Sequence, residues 1–493
     1  MSYFSYLSTK NKNMGDISLI VYWILSGVYV ITVLSVVAII IGENRNPVRS
    51  LAWVTVLTVV PVVGLVLYFV FGRDISTKRV VPRKVKRKLR KLEIKHRVDD
   101  DPKSDLGVAS LQLVRMGEQL SISSLHGSCD AELFVDGSEK FRRLIDDISK
   151  AEKSILIQYY IFEDKGIGTR LADLLCAKAS QGVRVHLIYD PVGCYGVKKN
   201  FWKKLRASGV EVNSFATVRF PRFGTRINWR NHRKLCVIDD KIGYIGGMNI
   251  ADRYATGGDM FDMWRDMHLR VTGSIVASLK VSFIVDRSFI NFDNPLVDTW
   301  DVLAEDIDTT GSMRMQMATS GPTSQWCNIE LMFLRAIGGA KRRVFIQTPY
   351  FLPSDGLLSA LQAASLSGVD VRVMVPEKSD SRMLTMATSS YITQCLRAGI
   401  KVYRFKAGML HSKMMLVDDE MVTIGSTNFD FRSFEHNFEA NLFIYSNEFN
   451  ERVAESFFAD QKLCERVDAE RWSRRSLLRR SQESVLRLLA PIL

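Results

Sequence analysis

Two stretches of this 493-residue chain carry the same reactive residue types at the same spacing. One reads NHRKLCVIDDKIGYIGGMNI (231–250) and the other LHSKMMLVDDEMVTIGSTNF (410–429). Counted from the histidine, Lys falls at +2, Asp at +7, Gly at +14 and Asn at +17 in both. These are His232, Lys234, Asp239, Gly246 and Asn249, then His411, Lys413, Asp418, Gly425 and Asn428. An imidazole beside an ammonium suits a phosphate. The lysine holds an anionic oxygen as a point charge, and the histidine supplies a nucleophile or a proton. A lone H-x-K would be weak, but five positions repeated at identical spacing specify a site in two halves. The chemistry that fits is phosphoryl transfer through a covalent phosphohistidine. One imidazole attacks phosphorus and the other protonates the leaving alcohol. The two lysines and two asparagines stabilise transition-state charge. The spacing is compatible with either histidine as nucleophile.

The positioning elements follow from the pattern around the motifs. LCVI and MMLV are apolar runs of buried-strand type, and on a strand residues i and i+2 share a face, so His and Lys project together. Asp at +7 has the opposite parity. On a regular strand it points away from that face, which makes Asp239 and Asp418 candidates for fixing the strand end. Gly246 and Gly425 allow close backbone approach and Asn249 and Asn428 can donate to phosphate oxygens, so all four are candidates for substrate binding. Two carboxylates are candidates for orienting the imidazoles: Asp266, 34 residues after His232, and Glu439, 28 after His411. His96, His126, His186, His268 and His436 have no counterpart in the repeat and read as ordinary histidines.

The motifs sit at equivalent points of a longer repeat. SILIQYYIF (154–162) matches RVFIQTPYF (343–351), with Gln158 and Gln347 aligned. GVRVHLIYD (182–190) matches GVDVRVMVP (368–376), and GVEVNSF (209–215) matches GIKVYRF (399–405). Strands alternating with helical stretches predict α/β units with a largely parallel sheet. The expected organisation is a first domain over 110–304 and a second over 305–470.

Ahead of these domains, residues 17–41 and 50–72 contain no charge. Each exceeds the roughly 20 residues that cross about 30 Å of hydrocarbon, so residues 1–72 are expected to form a transmembrane hairpin, with Pro61 kinking the second helix. The formal net charge of +14 is confined to the ends: residues 73–97 hold twelve basic and two acidic groups, and residues 469–493 hold six Arg and two Glu. The basic segment and linker (73–109) should stay cytoplasmic and touch anionic headgroups. The near-neutral body disfavours nucleic acid as a partner. The tail, 471–493, reads as a basic amphipathic helix, packed on the body or lying at the lipid interface. Seven cysteines, with no C-x-x-C pair, favour a reducing compartment and no disulfide framework. No Cys/His group has zinc-ligand spacing, and the chemistry calls for neither metal nor cofactor.

The doubled H-x-K-x4-D-x6-G-x2-N pattern resembles that of the phospholipase D superfamily. More narrowly, the chain resembles bacterial cardiolipin synthases of that type. Asn46-Pro47, Arg49, Ala52-Trp53, Pro61, Gly64 and Tyr68 look like that family's membrane segment, and RNHRK, YIGGMNIADRY, WRDMH, GSTNFDFRS and HNFEANL like its body. The resemblance implies two similar α/β domains with mixed sheets flanked by helices, and transfer of a phosphatidyl group between two phosphatidylglycerol molecules, giving cardiolipin and glycerol. It implies a multi-pass protein of the bacterial inner membrane with a cytoplasmic body. It also places Asp239 and Asp418 among the active-site residues. A phosphatidyl hydrolase, another phosphatidyltransferase and a non-enzymatic membrane tether are the alternatives; two intact motifs weigh against the last.

Overall fold

The computed structural model describes residues 2–42, 47–60, 63–68, 106–120, 124–215, 229–290 and 310–489. The basic run 73–97, the acidic linker 99–105, Pro61 and the last four residues lie outside the described residues. The described chain falls into an N-terminal unit within the first 75 residues and a body.

In the N-terminal unit a helix spans Ser2–Gly42, and its stretch Val21–Gly42 is apolar and 22 residues long, about 33 Å at 1.5 Å per residue. That is enough to cross a bilayer. Of the expected second span, 50–72, the described parts are helical over Pro47–Val59 and Val63–Leu67; residues 61–62 and 69–72 lie outside the described residues. Val36, Ile40, Leu57 and Tyr68 form a small buried cluster joining these helices. Trp53 meets Tyr68 edge-on at 5.5 Å between centroids.

The body is built on one continuous mixed sheet. Its centre is an antiparallel pair, Leu125–Phe134 beside Met313–Ser320, one strand from each repeat. Outward from Leu125–Phe134 run His268–Gly273, Ile242–Gly246, Leu235–Ile238, Ser154–Tyr159, Arg184–Tyr189 and Glu211–Ser214. Outward from Met313–Ser320 run Asn437–Tyr445, Met421–Gly425, Met414–Val417, Arg343–Gln347, Asp370–Pro376 and Lys401–Phe405, with Cys464–Arg466 at the edge. Ser154–Tyr159, Arg184–Tyr189 and Glu211–Ser214 are mutually parallel, as are Arg343–Gln347, Asp370–Pro376 and Lys401–Phe405, as the strand–helix–strand pattern requires, while the edge strand Cys464–Arg466 is antiparallel. The inner strands are antiparallel. The expectation of a largely parallel sheet therefore holds only for the outer part. The reason is local: a motif strand and its successor are joined by a tight turn, which forces them antiparallel. Gly182 and Gly368, aligned in the repeat, both adopt positive φ (92° and 94°) where a helix ends and the next strand begins.

Asp239 and Asp418 occupy that tight turn, with φ of 51° and 50°, a left-handed conformation that Asp tolerates better than most residues. Their carboxylates accept backbone N–H groups where the neighbouring strand begins. Asp239 takes Glu152, Lys153 and Ser154 at 2.7–2.8 Å. Asp418 takes Lys341, Arg342 and Arg343 at 2.7–3.1 Å. Each lies five residues beyond its motif lysine, about 16 Å along a strand at 3.3 Å per residue. Five residues of strand carry both carboxylates to the end remote from the imidazole, where their partners are backbone amides and not the catalytic groups that the resemblance implied.

The C-terminal helix Leu477–Leu489 lays one side on the body. Arg487 stacks on Tyr391 at 4.4 Å, and buried Glu483 pairs with Arg475 at 2.6 Å. Leu477, Leu478, Val485 and Leu488 face outward and are exposed.

Asp239→Ala and Asp418→Ala should each destabilise the body by about 1–3 kcal/mol, the cost of leaving strand-end amides without a charged acceptor, measured by thermal or denaturant unfolding. The fraction that remains folded should keep most of its turnover; loss of turnover without loss of stability would restore these residues to the chemistry.

Candidate active site

Each H-x-K segment leaves its own repeat just before the histidine. Arg230–Asn231 pairs in parallel with Asn437–Phe438 of the second repeat, and Met409–Leu410 with Trp264–Arg265 of the first. The exchange continues into the motifs: the His232 amide donates to the Phe438 carbonyl at 3.0 Å, and the His411 amide to the Arg265 carbonyl at 2.6 Å. It delivers each imidazole to the other repeat's carboxylate. His232 Nδ1 lies 2.9 Å from Glu439 Oε1, and His411 Nδ1 lies 2.6 Å from Asp266 Oδ2. The two acids singled out as orienting residues do meet imidazoles, but each meets the one in the opposite half.

Both carboxylates are fully buried and held by further hydrogen bonds. Glu439 accepts from Asn437 Nδ2 at 3.1 Å and from the Ser426 hydroxyl. Asp266 accepts the Met267 amide at 2.7 Å. A carboxylate on Nδ1 fixes the tautomer with Nδ1 protonated and leaves Nε2 available for chemistry. His411 Nδ1 also has Lys413 Nζ at 2.6 Å, so the ring is pressed between a carboxylate and an ammonium. Lys234 Nζ donates to the His232 carbonyl at 2.6 Å, and Lys413 Nζ to the His411 carbonyl. These bonds follow from the shared i, i+2 face.

Burial sets the protonation states. His411 is pushed down to about 4 by burial and by Lys413, against the pull of Asp266. Burial also lowers His232, opposed mainly by Glu439. Lys413 is pushed down to about 8 by burial, and Lys234 falls well below the usual lysine range for the same reason. Burial alone would raise Glu439, but His232 and Lys234 more than offset it and hold its carboxyl low. Burial thus favours the neutral form of both imidazoles and lowers both lysines, and an anion bound beside them would favour the charged forms.

Both imidazoles open into one cavity of about 440 Å³. Asn249 and Asn428 line it, as their motif position predicts. Asn249 is held by the Ile161 amide at 3.1 Å and by Tyr254 Oη at 2.6 Å. Gly246 and Gly425, candidates for substrate binding, stand beneath neighbouring strands. A Cβ on Gly246 would lie 2.6 Å from the His268 backbone, and one on Gly425 would strike the Ala440 carbonyl. Their bareness lets the motif's second strand close on the strand that carries, or directly follows, the carboxylate.

Several pocket residues escaped the motif reading: Tyr160, Arg230, Arg253, Tyr254, Trp264, Tyr350, Asp380, Asp430 and Arg432. Two of them had a signal, since Arg253 and Arg432 both fall at +21 from their histidine and extending the repeat four residues past Asn finds them. The described histidines outside the motifs do not line the cavity. Among the described residues, no cluster of three or more His, Cys, Asp or Glu is disposed to hold a metal ion, and all seven cysteines are free thiols.

Comparison with known proteins agrees with this architecture. The family model described as "Cardiolipin synthase, PLD-like domain" matches residues 144–263 and again 333–461. A second model, "Phospholipase_D-nuclease N-terminal", matches residues 30–73. The chain is 36% identical over 479 residues to the major cardiolipin synthase ClsA of Bacillus subtilis, covering 95% of this chain and 99% of that one. It is 35% identical over 473 residues to a cardiolipin synthase of Alkalihalophilus pseudofirmus, covering 95% and 94%. It is 38% identical over 467 residues to one from Listeria monocytogenes, covering 92% and 95%. Among solved structures, phosphatidylserine synthase of Haemophilus influenzae Rd KW20 shares the fold, with a TM-score of 0.59 at 13% identity over 77% of this chain and 98% of that one. The chain belongs to the cardiolipin synthase family of phospholipase D-like proteins, with two copies of the family's domain.

Proposed function

We propose that the protein makes cardiolipin by moving a phosphatidyl group from one phosphatidylglycerol to a second, with release of glycerol. The observation that carries this reading is the reciprocal pairing of two imidazoles with two buried carboxylates around one cavity, in a chain with a bilayer-length apolar helix. The Nε2 of one histidine attacks the phosphorus of the donor lipid. The bond from phosphorus to the glycerol oxygen breaks, and the other imidazole, protonated once the bound anion favours its charged form, gives that oxygen its proton. The neutral imidazole then takes the proton of the acceptor's hydroxyl. That oxygen attacks phosphorus, the phosphorus–nitrogen bond breaks, and cardiolipin leaves. Lys234, Lys413, Asn249 and Asn428 bear on the non-bridging oxygens in both steps. Asp266 and Glu439 hold the ring tautomers and balance the imidazolium charge. Every bond made and broken is accounted for by the two lipids and the two rings.

The domains, on this reading, run over 110–304 and 305–470, behind a hairpin of two spans whose second member includes the helix Pro47–Val59. The protein is a multi-pass component of the bacterial inner membrane with its body on the cytoplasmic side. The basic run 73–97, immediately after the apolar segments, supports that orientation, and so do seven free thiols.

Purified protein given head-group-labelled phosphatidylglycerol with a chelator present should release glycerol and form cardiolipin. Phosphatidic acid as the sole product would replace this reading with a hydrolase. His232→Ala and His411→Ala should each cut the rate by about 10³-fold or more, and a variant that retained substantial turnover would refute the shared site. Activity should fall as pH rises above about 8, where Lys413 gives up its proton; in Lys413→Arg, whose guanidinium stays charged, that alkaline limb should disappear. In sealed right-side-out vesicles, a membrane-impermeant thiol reagent should leave Cys327 and Cys464, the two partly exposed thiols, unlabelled until the vesicles are opened.

A further inference from the structure

The cations that line the pocket, and the two motif lysines beside it, each have an acid nearby, with a single exception. Lys234 and Lys413 feel Glu439 and Asp266. Arg230 faces Asp190 at 3.9 Å. Arg253 binds Glu163 at 2.8 Å and lies over the rings of Tyr254 and Trp264. Arg432 also lines the cavity, yet among the described residues no carboxylate lies within ion-pairing distance of it. The nearby acids have other work: Asp430 caps the helix that begins at Phe431, accepting the Ser433 amide at 2.7 Å, and Asp380 accepts the Tyr350 hydroxyl at 2.5 Å. Arg432 and Arg253 are equivalents, both at +21 from their histidines, so the twofold repeat provides two guanidinium positions, one neutralised by Glu163 and one left over.

The proposed reaction brings two phosphodiesters into this cavity and attacks only one. The donor's phosphate sits between the imidazoles with the lysines. The acceptor brings its own phosphate, one glycerol unit from the hydroxyl that reacts, and that monoanion needs a counter-charge that the histidine–lysine pairs do not supply. We infer that Arg432 is the anion subsite for the acceptor lipid's phosphodiester, with Arg230 beside it in the wall, and that it sets the preference for a phospholipid over a simple alcohol as phosphatidyl acceptor. A guanidinium fits this task because its planar fork binds two phosphate oxygens at once. The inference rests on the phosphatidyl-transfer reading and adds the residue that selects the acceptor.

The test separates the two phosphates by changing only the acceptor. The enzyme, with phosphatidylglycerol as donor, is assayed for cardiolipin formation and, in the same preparation, for incorporation of labelled free glycerol into phosphatidylglycerol. The second reaction uses the same donor, histidines and lysines, but its acceptor carries no phosphate. In Arg432→Gln, cardiolipin formation should fall about 10- to 100-fold, the range for losing a charged hydrogen-bond pair, while glycerol exchange stays within about twofold. Arg432→Lys should recover part of the cardiolipin rate. Equal loss of both reactions, with Arg432→Lys restoring both together or neither, overturns the inference and moves Arg432 to the donor phosphate or to the fold. Unchanged cardiolipin formation in Arg432→Gln overturns it as well. If the unmutated protein makes no cardiolipin from phosphatidylglycerol, it is the function itself that fails, whatever Arg432 does.

Discussion

Everything in the catalytic body depends on one reciprocal contact: each imidazole is held by a buried carboxylate from the opposite repeat. A fully buried Glu439 or Asp266 is costly without a partner, and the partner is delivered only when the H-x-K segment of the other half crosses over. The central strand pair, the short parallel bridges at Arg230–Asn231 and Met409–Leu410, and the bare glycines at +14 all serve that crossing. Neither repeat alone contains a histidine with its orienting acid, so a half-molecule would hold the motif but no site. The fold and the chemistry are therefore one cooperative object.

Much of this was legible in the sequence because it repeats. Periodicity and the doubled motif found the strands, the paired α/β plan and the residues that line the cavity at His232, His411, Asn249 and Asn428. Strand parity also indicated that Asp239 and Asp418 point away from the imidazoles, and their carboxylates turn out to tie down strand ends. What the sequence could not show was connectivity in space. Residue spacing suggests that Asp266 belongs with His232 and Glu439 with His411, since each pair lies within one repeat. The crossing that reverses this arises from two-residue bridges, too short to leave a pattern. The glycines misled for a similar reason: a glycine near a phosphate and a glycine beneath a neighbouring strand look alike until the neighbour is known.

The electrostatics follow from the same burial. Two ammonium groups lie in a dry wall with two carboxylates, so the resting cavity is close to balanced near the histidines. Burial favours the neutral form of both imidazoles and lowers both lysines, Lys413 to about 8. A bound phosphodiester would reverse that tendency, since its negative charge favours the protonated form of whatever faces it. Substrate binding and the proton inventory of the site are thus coupled, and the cavity is better matched to an anion than to water.

The two halves differ at one small position. In the second repeat, Ser426 follows the +14 glycine and its hydroxyl braces Glu439; in the first, Gly247 stands there, and a Cβ added to it would collide with the Asp266 carboxylate. The Asp266 carboxylate itself fills the space a serine side chain would take, while Glu439 leaves room for the Ser426 hydroxyl. Acid and neighbour are locked as pairs, so neither can be exchanged alone. A chain built by doubling one unit has in this way lost the interchangeability of its halves: the two imidazoles now stand in unequal surroundings, and a reaction that needs one to give a proton while the other attacks finds that division of labour already begun.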